Sequence, residues 1–278
     1  MIRDYAALGK VRIALMVAIT TFLGYWFAQG RDGALLFWTL SGTVLSSCAA
    51  GALNQLLEIE PDGIMRRTRN RPLPAGRLSP LQAARFAGAC AAAGLFILFA
   101  RVNVLAGALT LFTIVSYAFV YTPLKRLSPQ STWVGSLSGA IPPLIGWAAA
   151  RGRLDAGAWA LFAIQFIWQI PHFLAMFWIH REDYARAGFK VMPVVDPGGS
   201  TTACQIALHS FALLLASVMP TLFGLSGARY GYGALILGSA FLAVGLKASW
   251  TMEVADARLL FRASLAYLPA IFTMLAWT

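Results

Sequence analysis

Charge is in short supply in this sequence. Only 12% of its 278 residues are Asp, Glu, Lys or Arg, against 59% hydrophobic, where a soluble domain carries about 25% charged residues. That deficit excludes an ordinary water-soluble globule and points to an all-α, polytopic membrane protein. Cysteine and histidine are scarcer still, at three each. Cys48, Cys90 and Cys204 fall in or beside apolar runs without metal spacing, so they read as small buried residues rather than a disulfide or zinc framework. The formal net charge is +11. In a soluble chain this would suggest nucleic acid, but here the basic residues sit between apolar runs, so membrane topology explains them and no nucleic-acid partner is expected. A cleavable signal peptide is not expected either. The first apolar stretch is long enough to span, and no small-residue cleavage site follows it.

Nine apolar windows are candidate spans, at roughly 11–29, 34–57, 80–100, 103–121, 131–150, 156–179, 203–225, 230–250 and 259–277. They predict one integral-membrane domain over 1–278, in two helix groups of roughly 1–126 and 127–278. With nine spans, 17 of the 22 basic residues fall on one side and five on the other. The positive-inside rule then puts the N-terminus in the cytoplasm and the C-terminus outside. This bias, with no transit segment, predicts a bacterial plasma (inner) membrane, an organelle inner membrane being the alternative.

Topology does not explain the acids. Most of the 11 fall in two clusters on the basic side, after the second and sixth spans. This spacing hints at an internal repeat with a site between its halves. The stretch NQLLEIEPDGIMRRTRNRPLPAGRLSP, residues 54–80, holds three acids and five arginines. Asn54, Glu58 and Asp62 recur every four residues and would share one helix face, with Pro61 loosening the helix near its end and Glu60 off the face. Two readings stay open. The acids pair with the arginines in a solvated loop, or the oxygens hold a hard cation such as Mg²⁺ while Arg66, Arg67 and Arg71 meet an anionic substrate. Asn54 weighs toward the second, because an amide inside a span usually has a partner.

These residues resemble the first signature of the intramembrane prenyltransferase superfamily. The continuation Asp62, Met65, Arg67, Thr68, Arg71, Pro72 is similar to that of its heme-farnesylating (heme O synthase) branch. The likeness continues in YTPLKRLSPQSTWVGSLSGAIPPLIGW (121–147) and WQIPHFLAMFWIHREDYARAGFKVMPVV (168–195). It implies about nine transmembrane helices around a central cavity. It also implies a Mg²⁺-dependent enzyme that moves a farnesyl group from farnesyl diphosphate to the vinyl group of heme b with addition of water, giving heme O for terminal-oxidase biogenesis. Heme b is then a substrate, and heme A synthase or oxidase-assembly factors are candidate partners. Asn54, Glu58 and Asp62 are implied as metal-binding and catalytic, with Arg66, Arg67, Arg71, Lys125, Arg126 and Lys190 on the diphosphate. Lys125 and Arg126 read equally well as topology anchors. Gly135 and Gly139 form a small pair that would let helices approach, and Pro142 and Pro143 break the backbone ladder, either to kink a packing helix or to shape the cavity wall. His172, His180 and Tyr184 are heme-site candidates, with His209 a weaker one, since histidine is a common iron ligand although a lone membrane histidine is usually a packed hydrogen-bonder. Asp183 stands where the superfamily has its second acidic motif. Here that motif is thin, with Glu182 and Asp183 alone, so Asp183 binds metal through water, orients Lys190 or helps accept a proton. Two rivals remain: the same chemistry on a quinone precursor or chlorophyllide, and a transporter without catalysis.

Overall fold

The computed structural model describes residues 1–277, and among them the chain is helical throughout, with no β-strand. An apolar run in lipid must satisfy its own backbone, and the helix does so. In order, α1 is Ile2–Leu8, α2 Val11–Phe27, α3 Gly33–Leu57, α4 Ile59–Ile64, α5 Pro80–Ile97, α6 Val104–Val115, α7 Thr122–Leu124, α8 Ser131–Ala140, α9 Pro142–Arg151, α10 Ala156–Ile179, α11 Arg181–Arg186, α12 Met192–Val195, α13 Ser200–Leu222, α14 Ala228–Thr251 and α15 Val254–Ala276. Wider π-helical turns extend α5 through Leu98–Val102 and join α6 to α7 through Ser116–Tyr121.

All nine expected spans have a helical counterpart, though not as nine uniform rods. Among the described residues seven helical segments are each long and apolar enough to cross a membrane, and α1 with α2, bent by 54°, make an eighth if the pair is counted as one span. The fifth window is α8 and α9, ten residues each, meeting at Ile141. Ile141 keeps right-handed helical angles, and Pro142 and Pro143 occupy the first turn of α9, where a missing N–H costs least. Three acids outside the candidate site bind the backbone at helix starts, while Asp4 and Asp256 pair with Arg77 and Lys247. Asp32 accepts from Ala34 and Leu35 N–H at the start of α3, and Asp155 from Gly157 N–H at the start of α10. Asp196, in the DPGG turn, accepts from the Thr202 N–H and hydroxyl.

Helices α9, α10, α13, α14 and α15 enclose the largest core, around Trp147, Leu161, Ile164, Tyr230 and Tyr267. Helix α2 joins it through its contact with α9. A Cβ on Gly24 would strike the Pro143 backbone, and one on Gly146 the Thr21 carbonyl, so the two backbones touch there. The expected pair Gly135 and Gly139 serves differently: it leaves room for the Tyr121 ring and the Gln169 amide rather than for a neighbouring backbone. Outward, Phe96, Ile236 and Trp250 are 70, 73 and 91% exposed. Apolar surface on this scale needs lipid.

Candidate active site

A cavity of about 490 Å³ runs between α2, α3, α6, α8 and α10, lined by apolar side chains, small hydroxyls and, at one end, Lys10, Tyr117 and Tyr121. Behind that end lies a buried polar cluster. Asn54, Glu58 and Asp62 are 2, 4 and 2% exposed, while Glu60 points outward and meets Arg126 at 3.6 Å. The face predicted from their spacing is therefore present, and it is enclosed rather than solvated.

The local chain explains the placement. Helix α3 is capped by Glu58, and after that break α4 carries Asp62. The Asn54 amide ties the cluster together. Its Nδ2 donates to Glu58 Oε2 at 2.9 Å and to Thr122 Oγ1 at 3.0 Å, and its Oδ1 accepts from Lys10 Nζ at 2.6 Å. Lys125 pairs with Glu58 Oε1 and lies over the Tyr121 and Phe189 rings. Arg71 meets Asp62 Oδ2 at 2.5 Å, and the Thr68 hydroxyl donates to the Asp62 carbonyl. Each of the three oxygen-bearing residues thus faces a cation, the electrostatic place that a divalent ion would take. Among the described residues no three His, Cys, Asp or Glu side chains converge. A metal here would therefore be held by two carboxylates, an amide oxygen and non-protein oxygens, a donor set that suits Mg²⁺.

Pro123 accounts for the π-turn beside the cluster. Proline removes a backbone donor and crowds the preceding turn, and the helix widens over Ser116–Tyr121. The Thr122 hydroxyl donates to the Tyr117 carbonyl at 2.8 Å. Such turns recur at functional sites, and this one turns Tyr117 and Tyr121 to the cavity. Lys10 was not legible as a site residue, because in sequence it is one more basic anchor. Its backbone is left-handed, φ 50° and ψ 48°, a conformation that costs about 1–2 kcal/mol for a residue with a Cβ. Gln55 holds the bend by donating to the Ala7 and Leu8 carbonyls, both at 2.8 Å.

The second acidic cluster repeats the first in backbone and departs from it in chemistry. Helix α3 is capped by Glu58 with φ −112° and ψ 21°, and α10 by His180 with φ −113° and ψ 20°. Each is followed by a six-residue helix. His180 takes the place of Glu58, and Tyr184 that of Asp62. Tyr184 is buried, and its hydroxyl accepts from Arg67 Nη2 at 2.8 Å, which ties the two motifs. Tyr184 packs against Phe177 and Phe189 and is not among the residues that line the main cavity. Asp183 pairs with Arg186, not with Lys190, whose backbone N–H instead donates to the Lys125 carbonyl. A second, open cavity of about 520 Å³ lies here, lined by Arg66, Arg67, His180, Arg181 and Asp183. Partial desolvation, with the Arg67 charge nearby, holds His180 below the ordinary histidine range. Of the histidines, only His172 lines the main cavity. His209 bonds the Gln205 carbonyl and meets the Trp133 ring edge-on.

The UbiA prenyltransferase family matches residues 17–268. The protoheme IX farnesyltransferase of Solibacter usitatus is 42% identical, covering 98% of this chain and 97% of that protein, and that of Salinibacter ruber is 40% identical, covering 99% and 98%. The human mitochondrial protoheme IX farnesyltransferase is 42% identical, covering 97% of this chain and 61% of the human protein. Among solved structures, one reported for digeranylgeranylglyceryl phosphate synthase superposes with a TM-score of 0.81 at 15% identity, covering 99% of this chain and 96% of that one. A UbiA homolog from Archaeoglobus fulgidus bound to GPP and Mg²⁺ gives 0.67 at 14% identity, covering 98% and 99%. These two share the fold with a chain that, by family match and full-length relatives together, belongs to the UbiA prenyltransferase family.

Proposed function

We propose that this protein transfers a farnesyl group from farnesyl diphosphate to the vinyl group of heme b, with addition of water, giving heme O. One observation carries the prenyl-transfer part: a buried cluster of Asn54, Glu58 and Asp62 interleaved with Lys10, Lys125 and Arg71, beside a largely apolar cavity. An isoprenoid diphosphate has that same division, with a dianionic or trianionic head and an apolar tail. The acceptor follows from relatives of near-equal length that are protoheme IX farnesyltransferases at 42 and 40% identity.

Asn54, Glu58 and Asp62 would hold Mg²⁺, which when bound supplies Lewis-acid neutralisation of the leaving diphosphate. Lys10, Lys125 and Arg71 would exchange their present partners for diphosphate oxygens and stabilise the charge that builds as the C1–O bond breaks. Arg66, Arg67, Arg126 and Lys190, more exposed, would draw the anion in from the aqueous side. The apolar walls keep water from the allylic cation until the vinyl carbon has attacked it. Water then adds to the new cation beside the porphyrin ring and loses a proton, leaving the hydroxyethylfarnesyl group. No strong base is needed at the acceptor, which agrees with the thin second acidic motif. The protein is expected in a bacterial plasma membrane with its N-terminus and diphosphate end in the cytoplasm.

Membranes carrying the protein would be given heme b, farnesyl diphosphate and Mg²⁺, and the extracted hemes resolved by mass spectrometry. The expected product is heavier than heme b by one farnesyl and one water, and is absent with chelator. Consumption of farnesyl diphosphate with no new heme would overturn the acceptor, and consumption of neither would overturn prenyl transfer.

A further inference from the structure

His172 sits on α10 directly after Pro171, and its ring is held on several sides. It stacks against Trp168 and Phe261, with centroids 4.9 and 4.8 Å away, and Phe173 meets it edge-on. Its Nδ1 lies 2.7 Å from the hydroxyl of Ser264, on α15. Ser264 is fully buried and donates its hydroxyl proton to the Phe261 carbonyl at 2.6 Å. A carbonyl oxygen only accepts, and a serine has one hydroxyl proton. Toward His172, therefore, the hydroxyl must accept. This fixes the neutral tautomer: Nδ1 carries the proton and Nε2 keeps its lone pair. Trp168 is fixed from the same residue, since its Nε1 donates to the Ser264 carbonyl at 2.8 Å.

With Nδ1 engaged and the ring stacked on two aromatics, Nε2 is the nitrogen left without a protein hydrogen bond on a residue that lines the cavity. Among the described residues no donor reaches Nε2, and no carboxylate or cation contacts the ring. The last point separates two uses of a cavity-facing imidazole. A general base becomes a cation and needs a counter-charge, which is missing. A metal ligand stays neutral and needs its other nitrogen held by an acceptor, which is present.

We propose that His172, through Nε2, is an axial ligand to the iron of the porphyrin acceptor, and that Ser264 is the positioning residue that sets its tautomer and ring plane. This rests on the acceptor proposed above and deepens it. An iron anchored on α10 fixes the porphyrin relative to the Lys10–Tyr121 end of the same cavity, so the choice of which ring substituent meets the farnesyl carbon becomes a matter of geometry.

The test is a titration of the full-length protein in nanodiscs with ferric heme b, read by absorption and electron paramagnetic resonance. Wild type should bind saturably with the signature of imidazole ligation. His172→Ala should lose that signature and recover it when free imidazole is added. Ser264→Ala should keep the ligand but weaken heme binding by about 10- to 100-fold, the usual cost of removing an outer-shell partner. That loss should vanish in the His172→Ala background. Binding of farnesyl diphosphate with Mg²⁺ serves as the check that each variant is folded, and His172→Gln replaces the alanine variant if the latter fails it. A folded His172 variant with unchanged affinity and spectrum overturns the ligand assignment while leaving heme as acceptor. An unchanged Ser264→Ala overturns the positioning role. Wild-type protein that binds farnesyl diphosphate but no heme overturns the acceptor itself, and this inference with it.

Discussion

Replacing Lys125 by methionine removes the cation that Glu58 faces while leaving a side chain able to pack against Tyr121 and Phe189. Both partners are buried, Lys125 at 8% and Glu58 at 4% exposure. Removing one member of a buried pair strands the other and typically costs 3–5 kcal/mol. Asn54 Nδ2 still donates to Glu58, which puts the expected loss near the lower end, about 3 kcal/mol. At roughly 2–4 °C per kcal/mol, the melting temperature in chelator should fall by about 6–12 °C. The place that Lys125 vacates is the one the proposed mechanism gives to Mg²⁺. The variant should therefore be rescued by the ion alone, by about 2.7 kcal/mol once Mg²⁺ reaches a hundred times its dissociation constant. Wild type, with the carboxylate already paired, should respond little. The nine tryptophans give an intrinsic fluorescence signal for both melts. A variant that melts at the same temperature with chelator and with Mg²⁺ would refute the reasoning, because Glu58 would then be closed to metal.

Three further outcomes follow from the same geometry. Asp62→Asn should raise the Mg²⁺ concentration needed for half-maximal farnesyl diphosphate consumption by at least about tenfold, since even partners one shell removed from a metal cost 10–100-fold; full activity at low Mg²⁺ would sink the metal role. Lys10→Met loses a charge-assisted hydrogen bond worth about 1.5–3 kcal/mol, so Mg²⁺–farnesyl diphosphate should bind about ten- to a hundredfold more weakly in a direct titration. Unaltered affinity would leave Lys10 as an anchor only. Gly146→Ala places a Cβ against the Thr21 carbonyl and should cost about 1–3 kcal/mol by overpacking. A melt indistinguishable from wild type would mean that α2 and α9 do not touch as described.

Much of the fold was readable because the membrane enforces a period and a length. The nine apolar windows each correspond to helix, and the row Asn54, Glu58, Asp62 converges because a four-residue repeat survives the short break at Glu58. What was hidden depends on partners distant in sequence. Lys10 looks like any basic anchor until residue 54 is placed beside it, and Ser264 is an unremarked serine in an apolar run until α15 meets α10. The repeat was only a hint, because its two copies share backbone angles and not chemistry. A carboxylate pattern cannot reveal a motif whose equivalent positions are His180 and Tyr184. The Gly135 and Gly139 pair misled in a simple way: spacing says that room is made, not whether a backbone or a ring will fill it.

The bend at Lys10 bears on how the chain is born. A ribosome delivers α1 and α2 first, yet the carbonyls of Ala7 and Leu8 and the ammonium of Lys10 find their partners on Gln55 and Asn54. Until those residues emerge, only local backbone hydrogen bonds, Lys10 N–H to the Ala7 carbonyl and Ile13 and Ala14 N–H to the Lys10 carbonyl, are available to hold the left-handed turn. Thr122 and Lys125 arrive later still, and only then do Asn54 and Glu58 gain their last contacts. The site is thus closed in the order of translation, and a lesion near residue 125 would let the early helices insert yet leave an uncompensated carboxylate at their edge, a defect that quality-control proteases can recognise after insertion is complete.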